Sequence, residues 1–257
     1  MGKNQLKTKT TVQCALFIAI ALILRNFSYM VYMGGGAGMR IGVSGFFTKL
    51  PALLFGPMYG GITSAAVDFL GFVIKPDGGY IFPLTITAFC GGIITGYLYK
   101  LLKNKSPRFI RGIYISVTAL TLVLGIINHI FYVFFPNSFL GKIIKSFAGK
   151  ANFFIVGMYV AAGLGTLFYI INMLLAKRLK KSELTDMFFK LFAVFFVSDI
   201  IVTTANTFIL TEFIPALKKL GFFMFYMPRL VQEILSVFIS SYVVTYLMEL
   251  AKKIKIL

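Results

Sequence analysis

Lys49 and Asp68 are charged residues inside otherwise apolar sequence between Met39 and Lys100. A charge at the centre of a membrane helix costs roughly 2.5–3.5 kcal/mol, so such residues face an interior or a cavity. Polar groups recur in later apolar runs: Thr85 and Thr87, then Thr203, Thr204 and Asn206, then Arg229, Gln232 and Glu233. Arg40 precedes the stretch, in a Gly-rich segment. Catalysis is a poor use of this set. His129 is the sole histidine, so an HExxH zinc site is absent and a His-based triad would have to use it. A packed or interfacial role suits His129 better. Gly42-Val43-Ser44-Gly45 brings its second glycine one residue early for a nucleophile elbow. There is no Walker A motif, and Gly34-Gly35-Gly36 reads as a flexible lid hinge rather than a phosphate cradle. Cys14 and Cys90 lie in apolar runs and form no metal pattern. No metal or cofactor is implied. A transmembrane proton relay would have only Asp68, Asp199 and Glu233 to work with.

The elements that must position these residues are helices in a bilayer. The chain of 257 residues is 58% hydrophobic, with a mean hydropathy of +0.87. A soluble domain is typically under half apolar. The first apolar run is too long for a signal-peptide core and lacks a clean cleavage site, so it reads as a membrane helix. Eight spans are expected, at 11–32, 45–55, 58–74, 80–102, 112–135, 151–176, 187–211 and 222–250. The second is short for a bilayer core, with Pro51 in its middle. A loop at 33–44 and a short interfacial helix at 139–147 complete the outline. No run alternates as a strand would, so an all-α membrane bundle is the expected class.

The net charge of +18 invites a nucleic-acid reading, but the basic residues fall mostly between apolar runs. Membrane orientation explains them better. The N-terminal lead and the loops after 100, 177 and 252 hold most of them, against seven on the other side, so both termini are expected in the cytoplasm. That orientation brings the polar residues of five spans to a similar depth in the outer half, below the loop that carries Arg40. Converging polar groups in an apolar cavity describe a small-molecule site, here open to the outside.

A specific run of residues sharpens this picture. It comprises Arg40-Ile41-Gly42, then Leu50-Pro51-Ala52-Leu53-Leu54-Phe55-Gly56-Pro57-Met58-Tyr59-Gly60-Gly61, then Asp68-Phe69-Leu70-Gly71. It continues through Lys75-Pro76-Asp77-Gly78-Gly79-Tyr80-Ile81-Phe82-Pro83 to Leu84-Thr85-Ile86-Thr87-Ala88. In order and spacing it resembles the S component of energy-coupling factor (ECF) transporters, specifically the folate family. The resemblance implies a membrane-embedded vitamin-binding subunit with an outward-facing site. It also implies a transmembrane T component and two ATPases as partners. Ala15 and Ala19 resemble the AxxxA pattern by which S components dock on the T component.

Folate-like ligands pair a flat heteroaromatic head bearing N–H donors with an anionic tail. Asp68 can accept two such N–H bonds, and Arg40, Lys49 and Arg229 can meet carboxylates. Phe46, Phe47, Tyr80 and Phe82 are available for stacking, and Thr85, Thr87 and Asn206 complete the expected site. Competing structural roles are an Asp68–Lys49 salt bridge and an Arg229 bridge to Asp199 or Glu233. The family usually has six spans, so residues 103–182 read as an inserted helix pair between core segments 1–102 and 183–257. Another vitamin or a nucleobase-like precursor stays open as substrate. So do a stand-alone secondary transporter and, behind it, a membrane enzyme.

Overall fold

The computed structural model describes residues 3–33, 36–76, 78–146, 151–178 and 182–253. Gly34 and Gly35 of the expected hinge lie outside them, as do Asp77, Phe147, Lys150, Lys180, Lys181 and Lys255. Seven helices in the described residues are long and apolar enough to cross a membrane. They are α1 (Lys3–Asn26), α3 (Pro57–Ile74), α4 (Phe82–Leu102), α5 (Pro107–Val133), α7 (Ala151–Arg178), α8 (Ser182–Phe213) and α10 (Phe222–Lys253). The expected second span is the short helix α2 (Gly45–Leu54). At about 1.5 Å per residue its ten residues reach only half of a bilayer core. Short helices α6 (Phe139–Ser146) and α9 (Pro215–Leu220) lie in connections, and α9 has no counterpart among the expected elements.

The loop expected at 33–44 is a correction. Strands β1 (Tyr29–Met33) and β2 (Gly36–Ile41) pair antiparallel, with Tyr29 opposite Ile41 and Met30 opposite Arg40. The first helix therefore stops at Asn26 rather than continuing to residue 32. Ser28 Oγ donates to the Arg25 carbonyl at 2.6 Å, satisfying one acceptor at the helix end.

Glycine sets the tightest helix crossing. A Cβ at Gly92 would overlap the backbone of Gly60, and one at Gly96 would fall 2.6 Å from Pro57 Cα. Helices α3 and α4 thus approach backbone to backbone, where packing in lipid finds its energy. Gly92→Leu should force them apart at a cost of about 1–3 kcal/mol or more. A lowered unfolding midpoint in detergent would register it; an unchanged midpoint would show that the crossing gives way freely.

Tyr114 centres the largest apolar cluster. Its ring meets those of Tyr169, Phe188, Phe189, Phe192 and Phe238, and its hydroxyl donates to the Gly165 carbonyl at 2.6 Å. This cluster ties α5 and α7 to α8 and α10. Elsewhere α8 packs on α4, and α2 and α3 fill the space between α1 and α4. Hydroxyls inside the helices mostly bond back to the preceding turn, as Thr95 does to Gly91 at 2.8 Å and Thr207 to Thr203 at 2.6 Å. Such bonds spare the polar group a cost in lipid.

Candidate functional site

The hairpin, the α3–α4 turn and the α8–α9–α10 connection surround a cavity of about 580 Å³ at one end of the bundle. Its polar wall holds Arg25, Arg40, Asp68, Asn206 and Arg229, and its apolar wall includes Met30, Phe72, Leu84, Leu210 and Phe213. Two smaller chambers of about 250 and 280 Å³ adjoin it, and Val202 borders all three. The main cavity alone falls within the size range of small-molecule pockets.

Each charged side chain is placed by a local device. Arg25 sits in the last turn of α1, its Nη1 3.7 Å from Asp68 Oδ1 and donating to the Val67 carbonyl at 3.2 Å. Gly71, one turn after Asp68, leaves the slot for that guanidinium: a Cβ there would lie 2.5 Å from Arg25 Nε. On the other oxygen, Thr85 Oγ1 donates to Asp68 Oδ2 at 2.7 Å, and the Tyr80 hydroxyl lies 2.8 Å from Thr85 Oγ1. Tyr80 is fixed in turn by the rings of Phe69 and Phe72, at 5.8 and 5.0 Å. A carboxylate has about four acceptor positions, so Asp68 keeps capacity for a ligand.

The second pair replaces the Asp68–Lys49 bridge that stood as the competing role for Asp68. Lys49 bridges to Asp199 at 2.5 Å, not to Asp68, and its Nζ lies 4.2 Å from the Phe195 ring centroid. Asp199 is thereby engaged by Lys49, while the Arg229 guanidinium lies over the Phe225 ring at 4.8 Å. Thr203 donates to Glu233 Oε2 at 2.9 Å, and Thr87 donates to the Asn206 side-chain oxygen. The 280 Å³ chamber brings together Arg40, Lys49, Asn206, Arg229, Gln232 and Glu233. Around the three chambers, four cations (Arg25, Arg40, Lys49, Arg229) face three carboxylates (Asp68, Asp199, Glu233).

Of the residues expected from sequence, Arg40, Lys49, Asp68, Tyr80, Asn206 and Arg229 line these chambers. Phe46 borders the 280 Å³ chamber while packing on the main core. Thr85 and Thr87 act through bonds to Asp68 and Asn206. Phe82 does not join them: it is 61% exposed and borders none of the three chambers. Phe47 packs against the core cluster. Arg25 was missed as a site residue, although an arginine in an apolar run was the available signal. Ala15 and Ala19 lie exposed on one face of α1, beside Leu16 at 57% exposure. His129 is placed by Tyr159, whose hydroxyl is 3.1 Å from Nδ1.

Seven helices long and apolar enough to span, among the described residues, define a multi-pass membrane protein, and α1, α3, α4, α8 and α10 supply lining to its polar cavity. Residues 5–181 match the family described as ECF-type riboflavin transporter, S component, and the chain belongs to that family. The family is one of transport proteins, not enzymes. The folate transporter FolT of Clostridium novyi (strain NT) is 33% identical over 90 residues, which are 35% of this chain and 46% of that relative. The chain thus spans about half the length of the curated relative it matches. No solved structure matches it. Helices α8 and α10 lie beyond the family match, yet they supply Asp199, Val202, Asn206 and Arg229 to the chambers.

Proposed function

We propose that the chain is the substrate-binding S subunit of an ECF-type vitamin importer, and that its cavity takes folate or a related pterin from the extracytoplasmic side. The observation that carries this reading is the pairing of Asp68 with a cationic wall in one 580 Å³ cavity. A pterin edge presents N–H donors suited to a carboxylate, and the glutamyl tail is an anion suited to Arg40 and Arg229. Riboflavin, which the family description names, is the competing ligand; its ribityl chain carries no charge to use those arginines. Contacting roles are assigned to Arg40, Lys49, Asp68, Tyr80, Asn206 and Arg229, with Phe46, Thr85 and Thr87 in support.

Energy would come from a T component and two ATPases docked on the cytoplasmic half. The binding core in this reading is α1–α4 with α8 and α10, and residues 103–182 are an added pair. Its support is placement: among the described residues α5–α7 contribute nothing to the three chambers, while α5 packs on α8 and α7 on α8 and α10.

Calorimetry with the purified chain tests the ligand. Folate should bind more tightly than riboflavin, and Asp68→Asn should weaken folate roughly tenfold to more than a hundredfold, the worth of a charged hydrogen bond of about 1.5–3 kcal/mol. Tighter riboflavin binding would reverse the assignment, and unchanged folate affinity would return Asp68 to a purely structural pair with Arg25. Uptake by this chain alone in vesicles, driven by a proton gradient, would instead favour a secondary transporter.

Sidedness has its own test. With both termini in the cytoplasm and the protein in the cell membrane, a single cysteine at Ser138 should react with an impermeant reagent in intact cells. One at Ser182 should not. The reverse pattern would turn the cavity to the cytoplasm.

A further inference from the structure

Arg40 stands on a support that cannot hold itself. A two-stranded hairpin is marginally stable alone, and Arg40 is on the second strand of one. Its cross-strand neighbour is Met30, and opposed residues project to the same face. Both line the main cavity. The direction of the Arg40 side chain therefore depends on where the hairpin is held.

Among the described residues, a bond from far along the chain fastens it to the bundle. Gln232 Nε2 donates to the Arg40 carbonyl at 3.0 Å, joining residues 192 apart in sequence. Gln232 lies on α10, three residues after Arg229, and residues so spaced share a helix face. That face borders the 280 Å³ chamber together with Arg40 itself. The helix behind the amide is firmly set: Phe225 and Val231 are fully or almost fully buried, and Glu233 receives the bond from Thr203. A well-packed helix thus offers one side-chain donor to the backbone that carries the arginine.

We propose that Gln232 is a positioning residue for Arg40. Its amide fastens the hairpin to α10, which keeps the guanidinium at the cavity and slows ligand release. The proposal rests on reading the cavity as the vitamin site. It differs from a direct contact in one respect: the effect of Gln232 passes through Arg40. Gln232 does not line the 580 Å³ main cavity, so the association rate should change little, while dissociation should quicken about three- to tenfold.

The test is a double-mutant cycle with hydrogen exchange beside it, on the full chain in detergent. Gln232→Leu removes the donor; Gln232→Glu keeps the shape and sets an acceptor against the carbonyl, so that either variant serves if the other fails to fold. In ligand-free protein, amides of residues 36–41 should exchange faster in the variants than in the wild type. Folate, or riboflavin if the wild type prefers it, should dissociate faster. In an Arg40→Met background the same Gln232 change should add almost nothing. Unchanged exchange in the hairpin, or a Gln232 effect that adds in full to Arg40→Met, overturns the proposal. If the wild type binds neither vitamin, the vitamin reading fails separately, and exchange in the ligand-free hairpin alone decides whether Gln232 fastens it.

Discussion

Lys49→Met should destabilise the folded protein by about 3–5 kcal/mol, the range for breaking a buried ion pair from one side. The Lys49 and Asp199 side chains are only 16% and 13% exposed, and their charged atoms are 2.5 Å apart. Methionine fills the aliphatic part of the lysine and deletes the charge. Asp199 then keeps Ser198 Oγ, which donates to it at 3.2 Å, but has lost its cation. The cost comes from that stranded carboxylate rather than from the strength of the pair, because desolvation offsets most of the attraction between two buried charges. The double variant Lys49→Met/Asp199→Leu should therefore recover most of the loss. Denaturant unfolding of the single and double variants in mixed micelles measures both. A single-variant loss below about 1 kcal/mol would mean that water in the chambers already solvates Asp199, placing the pair in the weak class of exposed bridges.

The same pair shows what a sequence reveals in a membrane protein. Depth was legible. Helix direction and distance along the helix predict one depth for Lys49, Asp68, Asn206 and Arg229, and all four line the adjoining chambers. Rotation about each helix axis was not. In water, an apolar stripe tells which face points inward; in lipid, the outward face is apolar as well. Phe82 could not be told from a cavity-lining ring, and it is exposed. Nor could Asp68 be assigned to Arg25 instead of Lys49, since the choice depends on helix rotation and on the slot at Gly71. The α3–α4 crossing rests on Gly60, Gly92 and Gly96, small residues of the kind that close helix approach in lipid favours. The hairpin was missed for a different reason. Tyr29-Met30-Val31-Tyr32-Met33 continues an apolar helix without a polar alternation, so it extended the span on paper. Its two tyrosines and Val31, followed by three glycines, were the strand signal.

Ala15→Trp together with Ala19→Trp should abolish vitamin uptake while leaving ligand affinity nearly intact. The two alanines are four residues apart on α1, so they stack on one face and leave a shallow groove. Both are exposed, as are Val12 at 63% and Leu16 at 57%. Had the groove packed against the chain's own helices, these positions would be covered; the buried side of α1 instead runs through Cys14, Phe17 and Ala21. Two indole rings on the open side therefore need not disturb the fold. They would hold a partner helix away, and close backbone approach is where helix association in lipid finds its packing energy. The groove lies in the first half of α1, whereas Arg25 in its last turn reaches the cavity, so a substitution at one end should leave the other unchanged. Folate affinity of the purified double variant is to be measured beside folate uptake in cells that contain the whole transporter. Loss of uptake with binding retained supports docking of the T component on this face. Normal uptake would remove that role, and loss of both together would mean that the groove carries internal packing after all.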